Sequence, residues 1–369
     1  MSSATGSSNI IPATNSADCF RLLSTLVLQG DKETQSETIA GMTGCWRQED
    51  LTTLSGIANT HHVVLRALPN LRRTLGEGSP LSEHLENALI AEQARIANAL
   101  PILYEICNAL GEIGDVIVIK SLDHWPDLGN DCDLYTNGQA ADLTAVMSER
   151  FHAQLEKQSW GDRLANKWNF KVPGLPELVE VHVARLGQTG EQIAVTNSLV
   201  ARSRTATFGG YSFRVPGVEE QIIISTLQRM YRHFYLRLCD IANIATLMDS
   251  GAIDYAYLES LSKSAGLWEG LATYLVIIAD YVEKYRGYAP PLPASVTDAA
   301  RFDGNKVSYR QRFLRIPLFP QAASLYAREW TALAGNGELQ NTLRLSLLPG
   351  LAMAALVAAK ISGSDKGIW

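Results

Sequence analysis

Along most of this chain apolar residues recur every three or four positions, the period of an amphipathic helix. Ala17–Leu28 carries Phe20, Leu22, Leu23 and Leu26 at that spacing, and shorter helices are expected over Ser36–Met42 and Asp50–Ala58. His61–Leu75 continues the pattern through Val63, Val64, Leu65, Leu68 and Leu71, with Pro69 expected to interrupt it. The longest periodic stretch is Ser79–Leu110. Ser79 followed by Pro80 reads as a helix start, and a stripe follows from Leu81 through Leu89 and Ile96 to Leu110. Glu92 and Gln93 fall on that stripe, which predicts partial burial there, and Pro101 predicts a kink or break.

In three short stretches the period drops to two, the period of a strand. These are Asp131–Tyr135, Lys167–Val172 and Glu177–Ala184. A fourth strand is read from the continuous β-branched run Val116–Ile119, bounded by Gly111 and Gly114 before it and Lys120 and Ser121 after it. Between the first two strands lies a polar loop with Pro126, Gly129 and Asn130 as turn formers. Ala140–Gln158 reads as a helix, and Pro173–Pro176 as a turn.

The second half returns to helical spacing. After Arg214-Val215-Pro216-Gly217, one helix is expected over Val218–Asp249, burying Ile223, Leu227, Met230, Tyr231, Phe234 and Leu238. Arg229, Arg232, His233 and Arg237 fall on another face, either a solvated basic surface or a positive wall for a ligand. Tyr255–Lys263 and Leu267–Tyr285 read as helices, Pro290–Pro293 as a linker, and Ser308–Leu314, Gln321–Gly335 and Leu345–Ile361 as further helices. The expected fold is α/β, a small mixed sheet flanked by helical segments. Its expected divisions are a disordered start (1–16), an N-terminal helical region (17–112), an α/β core (113–215), a helical region (216–288) and a C-terminal extension (289–369).

Composition narrows the partners. The 369 residues carry a formal charge of −6 and a pI near 5.7, which argues against a broad nucleic-acid surface and favours a small partner. Five cysteines, at 19, 45, 107, 132 and 239, form no C-x-x-C pair, so neither a disulfide framework nor a structural zinc site is expected. The first sixteen residues lack the charged and apolar segments of a signal peptide. The most apolar run, Leu345–Ala359, is short and holds Pro349 and Gly350, so no membrane span is expected and the compartment is read as cytoplasmic.

The candidate chemistry lies on the strands. Asp131 and Asp133 are two apart and share a face, so their charges repel unless a cation sits between them. Hard oxygen ligands suit Mg²⁺ or Mn²⁺. Glu180 and His182 likewise share a face of the later strand, where they either join that site or line a solvated edge.

A strand ending in Lys120-Ser121, then Asp131-Cys132-Asp133-Leu134 ten residues on, resembles the nucleotidyltransferase superfamily with the polymerase-β-like fold. The nearer resemblance is to an uncharacterised branch with Lys-Gly, Asp-x-Asp-Leu and then acid-x-His, matched here by Glu180-Val181-His182. This chain departs at Ser121, where the branch has glycine. Leu236–Ile244 is similar to an Asp-Ile-Ala helix of the same branch, which carries over Asp240. The resemblance implies transfer of a nucleoside monophosphate from an NTP to an acceptor hydroxyl, with Asp131, Asp133 and Glu180 around Mg²⁺ or Mn²⁺. It implies phosphate contacts from Lys120 and Ser121, and nucleotide-site roles for His182, Arg232 and Asp240. The expected acceptor is a small molecule. The alternatives are a toxin-like transferase acting on tRNA or protein, and a non-catalytic nucleotide-binding protein on the same fold, to which Ser121 points. Oligomeric state is not legible.

Overall fold

The computed structural model describes residues 15–29, 37, 39, 41–43, 46–76 and 80–350. The chain is α/β: mixed and antiparallel sheets of five, three and two strands flanked by many helices. The N-terminal region is helical, with α1 (Ser16–Leu28), α2 (Gln48–Thr60), α3 (Val64–Leu75) and α4 (Pro80–Gly111) among the described residues. Pro69 and Pro101 lie inside α3 and α4, which run on through them, so neither proline ends its helix. Most of 1–16, parts of Ser36–Met42, Ser79 and residues 351–361 lie outside the described residues, so the expectations made there have no structural counterpart.

The main sheet comprises β1 (Val116–Val118), β2 (Asp131–Thr136), β3 (Gln154–Leu155), β4 (Lys167–Lys171) and β5 (Leu178–Val183), in the order β1-β2-β5-β4-β3. β5 runs parallel to β2 and antiparallel to β4. A parallel neighbour requires a crossover, here supplied by α5 (Ala140–Phe151), α6 (Trp160–Leu164) and the β3–β4 pair. The helix expected over Ala140–Gln158 ends at Phe151, where His152 turns left-handed at φ 50° and the chain enters β3.

Period-two alternation divides the sheet between two cores. Val118, Cys132, Leu134, Val179 and Val181 face α4 and α5, packing with Ile96, Leu103 and Met147. Ile117, Ile119 and Tyr135 face the other way, into a larger core with α1–α3 and the later helices. Asp131, Asp133, Glu180 and His182 share that second face by alternation. The polar loop before β2 is held from outside. Asp127 accepts from the Leu65 and Arg66 amides at 2.8 and 3.2 Å, capping α3. Arg95 of α4 donates to the carbonyls of Leu128 and Gly129 and pairs with Glu92 and Glu177, so Glu92 is buried through that pairing.

After α7 (Ile193–Arg202) and the hairpin β6 (Arg204–Phe208) with β7 (Tyr211–Val215), the single helix expected over Val218–Asp249 is broken into parts. α8 (Val218–Thr226) unwinds into a π-helical stretch, Leu227–His233, and Phe234 turns left-handed at φ 55°. β8 (Tyr235–Leu236) then leads into α9 (Leu238–Ser250). Apolar spacing carried on through the stretch, but the extra residue per turn rotates the following side chains out of register.

The helices α10 (Tyr255–Ser264), α11 (Trp268–Arg286) and α12 (Ala294–Ala299) follow. The helix expected over Ser308–Leu314 is instead a hairpin, β9 (Ser308–Arg310) and β10 (Phe313–Arg315), whose second strand pairs with β8. Its two-residue loop, Gln311-Arg312, has φ values of 50° and 67°, as a type I′ turn demands. The described chain ends with α13 (Ala323–Gly335) and α14 (Leu339–Ser346).

Candidate functional site

The site begins at a strained turn. Beyond β1, Lys120 adopts φ 65° and ψ −53°, and the Ser121 amide donates to the Ile119 carbonyl at 2.7 Å. That is a γ-turn of the positive-φ kind, rare and costly for a side chain larger than glycine. The conformational demand falls on Lys120, not on Ser121. Ser121 is buried and its hydroxyl is spent within the sheet, donating to the Asp131 carbonyl at 2.9 Å and accepting from the Asp133 amide at 2.7 Å. Serine at this position therefore fastens the turn to the Asp-x-Asp strand, a use that glycine has no atom to perform.

Parallel register sets Asp133 directly beside Glu180. Lys120 Nζ contacts Asp133 Oδ1 and lies 3.6 Å from Glu180 Oε1. Lys167, brought in by β4, reaches Glu180 Oε2 at 2.9 Å and Asp162 of α6 at 3.1 Å. His182 Nε2 is 2.9 Å from Glu180 Oε1. Ligand-capable atoms of Asp133, Glu180 and His182 all lie within 4.8 Å of one another. Asp131 stands outside this set, exposed at the start of β2.

Electrostatics differentiates the pair. Burial pushes the Asp133 carboxyl up to about 7, with Lys120 opposing and Glu180 adding to the rise. Burial also works against ionisation of Glu180, yet Lys120, the His182 ring and Lys167 hold it well below the ordinary carboxylate range. Burial lowers His182 to about 4, so the imidazole is neutral. A neutral ring facing an ionised carboxylate donates through Nε2, leaving Nδ1 as a lone pair, and Nδ1 is buried without a hydrogen-bond partner. The two carboxylates and the ring form a set able to chelate a cation only once Nε2 releases Glu180 and the ring proton sits on Nδ1, which points away from Glu180.

A second ligand-capable set, His124, Cys239 and Asp240, lies near the turn. Asp240 is already committed: Arg229 holds both its oxygens, at 2.6 and 3.1 Å, and the Arg237 amide donates to Oδ2 at 3.0 Å. Burial raises the Cys239 thiol far above its ordinary value, so it is not a thiolate ligand. Arg229, expected on a solvated or ligand-facing stripe, is 1% exposed. Arg232 is half-buried on the π-helical stretch and forms no ion pair among the described residues.

Lys120, Asp123, His124, Gln221, Ser225 and Asp240 line a narrow gap of about 10 Å³, room for about one water, between the turn, α8 and α9. The sequence reading missed Asp123. Burial pushes its carboxyl up to about 8, with Asp240 adding. Its position four residues after the strand, in a loop without periodicity, gave no signal. Lys167 was equally missed, because its role depends on antiparallel pairing opposite His182. Among the described residues no helix is long and apolar enough to cross a membrane. Comparison with family models, curated proteins and solved structures finds no match to this chain.

Proposed function

We propose that the chain is a metal-dependent nucleotidyltransferase, moving a nucleoside monophosphate from an NTP to a hydroxyl of a small-molecule acceptor and releasing pyrophosphate. The observation that carries this reading is the register of β2 with β5, which sets Glu180 beside Asp133 on the face that also bears Asp131 and His182. The donor set fits a hard divalent cation, Mg²⁺ or Mn²⁺, and the Lys120 ammonium stands between two of its carboxylates as a positive charge would. Such an ion supplies charge neutralisation at the transferring phosphoryl group.

The chain's own residues do the rest. Lys120 is a compact cation on a flexible stem, able to leave Asp133 and follow a phosphate oxygen. Glu180, ionised and fixed by Lys167 and His182, holds its geometry when Lys120 departs. The acceptor oxygen attacks the α-phosphorus, the bond to the bridging oxygen of the β-phosphate breaks, and an ionised carboxylate of the cluster takes the hydroxyl proton. Incubation with each α-labelled NTP, Mg²⁺ and fractionated metabolites tests the reading: label should pass to one fraction in the wild type and not in Asp133→Asn. No transfer with any NTP or fraction, in protein that binds Mg²⁺, would remove it.

One observation favours a second reading. Lys120 and Lys167 already neutralise Asp133 and Glu180, and Ser121 is spent within the sheet, so the cluster is also a complete ion-pair network for a non-catalytic nucleotide-binding protein. NTP binding that is indifferent to Mg²⁺ would select it.

A further inference from the structure

The C-terminal extension, which had no motif in sequence, reaches the basic side of the site through the pairing of β10 with β8. Around the ring of Tyr235 on β8 stand three guanidinium groups: Arg315 at 5.2 Å, Arg229 at 5.5 Å and Arg237 at 5.9 Å from its centroid. Phe313 stacks on the same ring at 4.1 Å. Three like charges so close repel one another, and the cation–π attraction of one ring is too weak to hold them all. Asp240 is the one carboxylate paired with any of them among the described residues, and it serves Arg229.

The donors are left open as well. Arg229 Nη1, Arg237 Nε and Arg315 Nε are buried and have no acceptor among the described residues. Arg237 Nη1 is spent on the neutral ring of His62, at 2.6 Å, and Arg315 Nη2 on the amide of Gln311, at 3.1 Å; neither partner carries charge to offset them. Buried guanidinium donors without acceptors cost free energy unless an anion completes them. The fork geometry of arginine suits phosphate oxygens in particular. The cluster adjoins the turn through Asp240, which Arg229 holds and which lines the same gap as Lys120.

We propose that Arg229, Arg237 and Arg315, gathered on Tyr235, bind the polyphosphate of the nucleotide, so that the C-terminal extension completes the nucleotide site through Arg315. The assignment rests on the nucleotidyltransferase reading for the identity of the ligand, but its chemistry, a polyphosphate on paired guanidinium groups, is tested separately.

Calorimetry of the full chain with inorganic tripolyphosphate, without added metal, is the measurement. The wild type should bind, with affinity falling as salt rises. Arg315→Ala should weaken binding about tenfold or more, while Arg315→Lys, which keeps the charge but loses the fork, should recover only part of it. Arg237→Ala should behave like Arg315→Ala, and circular dichroism of each variant should match the wild type. Equal binding in wild type and Arg315→Ala, or none in the wild type, overturns the proposal. So does preferential binding of a single-stranded RNA oligonucleotide that tripolyphosphate fails to displace, which would make the face a nucleic-acid surface. If transfer activity is found and Arg315→Ala leaves its KM for NTP unchanged, the site assignment fails and the transferase reading stands. If tripolyphosphate binds as described but no NTP is ever turned over, the transferase reading fails and the site stands.

Discussion

The carboxylates of β2 and β5 and the guanidinium groups around Tyr235 are both gatherings of like charge, but only the first is electrically closed. Asp133 and Glu180 have Lys120 and Lys167 between and beside them, and each contact is a direct ion pair. Around Arg229, Arg237 and Arg315 the one paired carboxylate among the described residues is Asp240, and it pairs with the side chain of Arg229 alone. A closed cluster can persist as plain structure and must be opened before it binds anything. An open one is incomplete as it stands. On the proposed reading, a ligand with a polyanionic tail chelated to a divalent cation would satisfy the open cluster and open the closed one in the same event, because its phosphates would attract Lys120 away from Asp133.

The contrast can be pushed hardest at Asp240. Asp240→Asn removes the one carboxylate of the open cluster and leaves Arg229 buried and unpaired, for an expected loss of about 3–5 kcal/mol. Urea unfolding measures it, and a loss below about 1 kcal/mol would mean that Arg229 finds another partner or water.

Acid should act next, and on the same side. His61 accepts from the Leu238 amide through Nδ1 at 3.1 Å and donates through Nε2 to the Arg312 carbonyl at 2.7 Å, so it must be neutral. Burial lowers it to about 4, below the 6.5 of an unfolded histidine. The folded state therefore binds fewer protons, and its stability is present above pH 6.5 and lost as pH falls from 6.5 towards 4. His61 alone accounts for about 3 kcal/mol of that loss, and His124, lowered by burial to about 3, adds to it. Thermal melts between pH 7 and pH 4 should show a steady fall, reduced in His61→Gln, whose uncharged amide does not titrate.

Lys120→Ala breaks the closed cluster instead. If the chain is the proposed transferase, turnover should fall about 100-fold or more, since the leaving pyrophosphate would lose its mobile cation. The fold should survive, because Asp133, with its carboxyl already near 7, takes up a proton rather than remaining a bare buried charge. The smallest effect belongs to the hairpin loop. Arg312→Gly supplies a residue that accepts positive φ and should stabilise the protein by about 1 kcal/mol. Tripolyphosphate binding should be unaltered, because the Arg312 side chain is not on the Tyr235 ring; a lost affinity would extend the open cluster to the hairpin tip.

Much of the closed cluster was legible in sequence, and little of the open one. Alternation alone puts Asp131 with Asp133 and Glu180 with His182, because the strand period admits no other facing. It cannot say which strand lies beside which, so the neighbours of Glu180, Lys167 and Lys120 emerge only from the register. The open cluster was hidden by two misreadings. The π-helical stretch keeps apolar residues at intervals close to helical, and the left-handed Phe234 that ends it is neither glycine nor asparagine, so the break carried no signal. In Ser308–Leu314, Tyr309 and Phe313 stand four apart as on a helix, and the turn between them has none of the residues that mark a type I′ loop. Where local sequence and tertiary pairing disagree, pairing decides.

The placement of β5 has a consequence for how the protein is made. β1 and β2 meet across a short loop, so that hairpin can form as soon as both have been synthesised. β5 must enter between β2 and β4, roughly forty residues after β2 ends, and such long loop closures come late and cost more entropy. Until that strand docks on β2, Asp133 has no Glu180 beside it. A partly folded chain therefore lacks the assembled Asp133–Glu180–His182 cluster, which comes together only with the closing of the sheet.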